Sequence, residues 1–195
     1  MSIQSLIETP KPRLVTGPVT EPITIHQAKK HLEISTTDST HDAQILLVMT
    51  AARQQWEHDT GEHYIAQTWE IILPYLCEIR LPHRPVASIT SIAYYDTGNS
   101  SQTLATTVYA LDLARSQVLL KYLQVWPATS DRWDAATITY VVGTNANSTT
   151  VPAVAQQAML LLVGYYFEQR GDSDRQADQQ AYERLVAKYM RGTYP

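Results

Sequence analysis

At 195 residues and 44% hydrophobic content the chain has the size of one domain, or of one domain carrying a sizeable insertion, and should bury about 70% of its unfolded surface. Its formal net charge of −4 argues against a general binder of nucleic acid or of anionic membranes, which is expected to be basic. A single cysteine, Cys77, excludes an internal disulfide and a Cys-based zinc site and fits a reducing compartment.

Residues 1–22 hold Pro10, Pro12, Pro18 and Pro22 around Gly17, and read as an extended arm with no packed element and no secretory signal. The arm is either a disordered terminus or a strap that orders on a neighbouring subunit. Thr24 suits an N-cap for a short helix to about Ile34, with Ile25, Ala28 and Leu32 at helical spacing. Ser39 and Asp42, three apart, read as a capping-box variant opening a longer helix. Its apolar stripe is Ile45, Val48, Met49, Ala52 and Trp56, and Gly61 ends it.

Short strands follow at close spacing: 65–73, 76–81 with Cys77, Ile79 and Leu81 on one face, 89–95, 107–111, 117–122 and 136–142. Pro82 and Pro85 bracket a loop, and Asp96–Ser100 is a turn cluster. Pro152 opens the most apolar helix, with Val154, Ala158, Leu161 and Tyr165 in one stripe and Met159, Leu162 and Tyr166 in the next. So broad an apolar surface needs partners on several sides, which makes this the central helix. Its longest apolar run, 158–167, is too short to span a bilayer. A last segment, 176–190, is thin in apolar residues and serves either as a lid on the bundle or as a tail folding on a partner.

The reading is therefore α+β: a helical bundle from residues 23–62 and 151–170, an antiparallel β-sheet insertion at 63–150 between the second and third main helices, and a C-terminal tail or helix at 171–195. The predicted bundle core is Ile45, Val48, Met49, Ala52, Trp56, Val154, Ala158, Leu161, Leu162 and Tyr165.

No constellation argues for catalysis. His26/His31 and His58/His63 are five apart, not the four that puts two imidazoles on one helical face, so they read as solvated histidines and not as metal ligands. Cys77 with His83 invites a nucleophile–base reading, but Cys77 falls on the predicted core face, where a thiol is inert. Asp131 and Asp134 flank Trp133 as surface-loop acids commonly do. Trp126 and Trp133 either make an aromatic patch for a sugar or peptide or close one end of the sheet, and the second is favoured. No cofactor and no metal is expected. By region, residues 1–22 and 171–195 each balance to zero, so the body between them carries the whole −4. Such a body does not grip phosphate and suits a collar through which DNA passes.

The order of these parts resembles the head–tail connector (adaptor) proteins of long-tailed bacteriophages, in the longer branch with a β insertion. The matching pieces are Glu21-Pro-Ile-Thr-Ile-His-Gln-Ala-Lys-Lys-His-Leu, Ile65-Ala-Gln-Thr-Trp-Glu, Ile79-Arg-Leu-Pro-His-Arg-Pro-Val-Ala-Ser-Ile, Ile138-Thr-Tyr-Val-Val-Gly, the 151–163 run and Tyr166-Phe-Glu-Gln-Arg-Gly. The resemblance implies a homo-oligomeric ring in the virion neck. Such a ring docks on the portal protein after packaging and joins it to a stopper or tail-completion protein, while double-stranded DNA passes the lumen without specific binding. It implies no catalytic residues, and in similar proteins the C-terminal tail reaches the portal. On that basis Arg184, Lys188, Tyr189, Arg191 and Tyr194 are the expected portal-contact residues. Rival readings are a tail-completion or tail-tube component, a ligand-binding β module on a helical base, and a Cys77-dependent hydrolase.

Overall fold

The computed structural model describes residues 11–144, 147–168 and 176–192. The fold is α+β, with a helical bundle interrupted in sequence, between its second and third helices, by antiparallel sheet. Two compact units result: one holds residues 66–144 together with the segment ending at Pro18, the other Val19–Ile65 with the chain after 144.

In the helical unit, α1 (Ile25–His31) begins at a complete capping box. Thr24 Oγ1 accepts from the Gln27 backbone N–H at 3.1 Å, and Gln27 Oε1 accepts from the Thr24 N–H at 2.7 Å. Lys29, Lys30 and His31 then complement the negative end of the short helix. α2 (Asp42–Thr60) is capped differently from the sequence expectation, since its N-cap is His41 with no side-chain hydrogen bond. Asp42 pairs instead with the buried Lys29 of α1, whose Nζ also donates to the Asp38 carbonyl at 2.7 Å. Gly61 ends α2 at φ 68°, and its N–H returns to the Glu57 carbonyl at 2.9 Å.

A single 3-10 turn (Ser148–Thr150) leads into α3 (Ala153–Glu168), and α4 is Gln176–Gly192. α3 packs against each of the other three helices. The core comprises Ile23, Ala28, Ile45, Val48, Met49, Ala52, Trp56, Val151, Ala155, Ala158, Met159, Leu162 and Val163, with Tyr182 of α4. Of the two stripes expected on α3, Ala158, Met159 and Leu162 are buried, and the rest are corrected. Val154 is 44% exposed, and Leu161 and Tyr165 are only half-buried, while Val151, Ala155, Met159 and Val163 take the inner face. A helix apolar nearly all round gives no sharp sequence signal of which face points inward.

The sheet unit has a five-stranded antiparallel sheet ordered β1 (Arg13–Thr16), β2 (Gln67–Leu73), β8 (Ala136–Val142), β4 (Val86–Tyr95), β5 (Ser101–Thr103). A three-stranded sheet is ordered β3 (Ile79–Arg80), β7 (Gln117–Leu120), β6 (Tyr109–Asp112). β8 lies last in sequence and central in space, with Ala136, Ile138, Tyr140 and Val142 buried at every second position. Ile71, Leu73, Val86, Ile92 and Val118 complete this second core.

Two expectations change here. Residues 13–16 are not a free arm, because Arg13 and Leu14 pair with Glu70 and Trp69 as an edge strand. The prolines only bracket that stretch, and an edge strand spends its N–H groups on one side alone. Likewise 76–81 supplies just the two residues of β3, and Cys77 lies outside it, half-buried.

Replacing Gly61 by Ala should lower stability by about 1 kcal/mol, since φ 68° suits glycine and strains a β-carbon. Urea unfolding at unchanged m-value checks this, and Gly61→Asn should cost less.

Candidate functional site

The predicted contact segment, α4, is seated on α3 and α2, so of the two readings for 176–190 the structure forms the lid. Its inner face works through tyrosines. Tyr182 is buried, and its hydroxyl donates to Asp59 Oδ2 at 2.7 Å. The Tyr189 hydroxyl donates to Glu62 Oε2 at 2.6 Å and stands 3.0 Å from the Tyr64 hydroxyl, while its ring lies 5.2 Å from the Trp56 ring. Tyrosine suits this seam because its ring adds apolar area while its hydroxyl satisfies a carboxylate. Tyr189 therefore anchors α4 to the bundle while staying half-buried.

Arg184 and Lys188 are exposed on the opposite side of α4. Arg191 falls in the last turn of α4, with its side chain outside the described set, and Tyr194 lies outside the described residues. The cationic pair Arg184/Lys188 is thus one helical turn apart, presented on a helix whose other face is fixed.

Electrostatics follow burial. Burial first, then the Tyr189 and Glu62 contacts, push the Tyr64 hydroxyl far above its ordinary range, and burial first, then Asp59, does the same to Tyr182. Partial burial pushes Asp59 up, but hydrogen bonds from Gln55, Tyr182 and His58 outweigh it and hold the carboxyl below its ordinary 3.8. Elsewhere in the helical unit the buried Arg53 links Glu21 (Nε–Oε2 2.8 Å) to Glu57 (2.9 Å), and His63 Nδ1 lies 3.4 Å from Glu57 Oε1. His63 is 2% exposed and so is not the solvated histidine expected. Spacing along the chain carried no sign that residue 21 and residue 53 would meet.

The other candidates disperse. The His83 ring faces Trp69 at 4.1 Å between centroids, and its Nδ1 lies 3.2 Å from the Tyr140 hydroxyl. Burial, then the Glu78 charge, push the Cys77 thiol up, away from thiolate character. Asp134 is held by a two-point pair with Arg132, whose guanidinium stands 4.0 Å over the Tyr95 ring. Trp126 packs on the sheet core while Trp133 is exposed. Among the described residues no three His, Cys, Asp or Glu side chains converge as metal ligands would. No helix among them is long and apolar enough to cross a membrane.

No protein-family model matches the sequence, and comparison with curated proteins gives no match. Solved structures do share the fold. One chain from the virion of a native gene transfer agent (GTA) particle aligns with a TM-score of 0.74 at 20% identity, over 91% of this chain and 94% of that one. A chain from the neck of the empty particle, computed with C6 symmetry, aligns at 0.68 and 22% identity over 84% and 86%. A chain from the neck of the native particle, computed with C12 symmetry, aligns at 0.67 and 21% identity over 88% and 94%. The agreement covers both the helices and the inserted strands, since coverage of this size leaves room for neither to be missing.

Asp59 sets a pH dependence for the α4 seat. With its folded pKa depressed, its contribution is complete above about pH 4 and is lost as pH falls through the folded value. Tyr182→Phe removes one hydrogen bond to that carboxylate, so acid loosening of α4 should begin at higher pH than in wild type. Amide exchange across α4 at a series of pH values measures the difference, and identical profiles would count against the latch.

Proposed function

We propose that the chain is a structural virion protein of the neck, a ring-forming head–tail adaptor. In this reading copies assemble beneath the portal after packaging, dock on it, and pass the conduit to a stopper or tail-completion protein. Double-stranded DNA crosses the lumen without specific binding, in keeping with the net charge of −4. No reaction is assigned to it. The observation that carries the proposal is the likeness, over 84% and 88% of this chain, to chains of particle necks computed with C6 and C12 symmetry.

The portal-docking surface in this reading is the outer face of α4, with Arg184 and Lys188 as its described cationic contacts. α4 is amphipathic, seated through one face and exposed through the other, so it offers a portal a preformed helix rather than a segment that must first fold. Deleting α4 would not test this, because it would uncover Trp56 and strip partners from Asp59 and Glu62. Surface reversal is the cleaner probe.

Mass measurement of the purified chain, alone and mixed with the portal protein of its particle, should show a closed ring bound to portal. Arg184→Glu with Lys188→Glu should retain the wild-type unfolding midpoint and weaken portal binding at least tenfold, more so at low salt. Unimpaired binding would reject α4 as the docking face, and absence of any complex with wild-type protein would reject the adaptor role.

A further inference from the structure

Among the exposed apolar residues of the described chain two clusters stand out, one in each unit. The first is the outer face of α2. No Asp, Glu, Lys or Arg occurs between Asp42 and Arg53, and this half of the helix is apolar almost all round. Ile45, Val48, Met49 and Ala52 take the inner face, leaving Leu46 and Leu47 at 47% and 70% exposure. A helix greasy on every side normally has cover on every side. Ala43 and Ala51, one turn to either side of Leu47, are small enough to leave a shallow seat around it.

The second patch is the turn at 121–124, closed by the Gln124 N–H donating to the Lys121 carbonyl at 3.0 Å. It lifts Tyr122 and Leu123 to 89% and 81% exposure, with Val125 at 78%. Leu123 sits at φ 60°, a conformation that suits Gly, Asn or Asp and strains a leucine. No charged residue lies between Lys121 and Asp131, and the Lys121 amine is committed to the Thr106 carbonyl at 2.7 Å. A bulky apolar side chain held in strained backbone at the tip of an exposed turn serves some contact outside the chain.

We infer that these patches are the two halves of one head-to-tail contact between copies of this chain. The Tyr122–Leu123–Val125 knob of one copy sits on the Leu46/Leu47 face of the next. The inference rests on the ring reading above and adds the surfaces that close the ring. Charge selects the occupant. Copies that each carry −4 repel, so they meet best where neither side adds negative charge: the Leu46/Leu47 face has no charged residue between Asp42 and Arg53, and the knob is flanked by a cation, Lys121. A strongly basic partner finds no complementary charge at either, and an acidic partner or DNA finds only the single Lys121 cation beside the knob, its amine held by the Thr106 carbonyl. Shape sets the symmetry: a convex turn and a shallow helix face are unlike, so neither mates with its own kind across a two-fold axis. A contact joining unlike patches is heterologous, and repeated through a rotation that closes it generates a ring.

The test uses the full chain with Leu47→Glu and Leu123→Asp as separate variants, followed by analytical ultracentrifugation. Both positions are exposed, and aspartate tolerates φ 60° better than leucine, so both variants should melt at or above the wild-type temperature. Wild type should associate beyond a dimer as concentration rises, and each variant alone should remain a monomer. Their equimolar mixture should stop at a one-to-one dimer. The intact knob of the Leu47→Glu copy fits the intact seat of the Leu123→Asp copy, and the two remaining ends are both spoiled.

A mixture that stays monomeric, a variant that assembles like wild type, or a wild type that is monomeric at every concentration would each overturn the inference. The ring reading is judged separately by mixing each protein with portal. Rings that form there from both variants would retain the adaptor and discard these patches.

Discussion

The closure of α3 onto α2 is the contact on which the rest depends. Trp56, Ile45, Met49 and Ala52 from one helix and Ala155, Ala158, Met159 and Leu162 from the other are buried together, though residues 61–152 separate them in sequence. Closing so long a segment costs entropy that grows only slowly with its length. The segment is also no loose loop, because it builds a core of its own around Ile71, Ile92, Val118, Ile138 and Tyr140. Each unit therefore buries an apolar interior independently, and the helical unit needs only its two long helices to find each other.

Around that contact the chain uses tyrosines and ion pairs as fasteners. The chain has twelve tyrosines against one phenylalanine, and the bundle shows what three of them do. Tyr64, Tyr182 and Tyr189 lay rings in or beside the core and bring hydroxyls to Asp59 and Glu62. Arg53 does the corresponding work for the segment before α1, tying Glu21 to α2, where Ile23 and the Thr24 cap follow at once. A buried ion pair of this kind adds little net stability, yet losing one partner leaves a costly unpaired charge, so it fixes geometry more than it adds energy. These ionisable groups thus hold elements of the helical unit together.

The same arrangement leaves distinct surfaces exposed in each unit. α4 is locked through its inner face and shows cations outward, α2 shows leucines outward, and the turn after β7 lifts Tyr122 and Leu123 into solvent. A face already ordered before it meets a partner loses less conformational freedom on binding than a segment that must first fold.

Much of this was legible in the residues themselves. The 3.6-residue spacing of Ile45, Val48, Met49, Ala52 and Trp56 marked the inner face of α2, and the strict alternation of 136–142 marked a strand with one buried side. Thr24 announced the start of α1, and Gly61 the end of α2, because capping is chemistry among neighbours in sequence. Where the pattern saturated it lost direction: α3 is so uniformly apolar that Val154, placed inside by spacing, is outside. Partnerships across the fold were beyond reach altogether. That Arg13 to Thr16 would add an edge strand beside β2, that His63 would be buried at Glu57, and that Tyr189 would turn in to Trp56 depend on which distant segments arrive side by side. Local sequence sets which groups need burial or a hydrogen bond; only the assembled chain chooses the partner that supplies it.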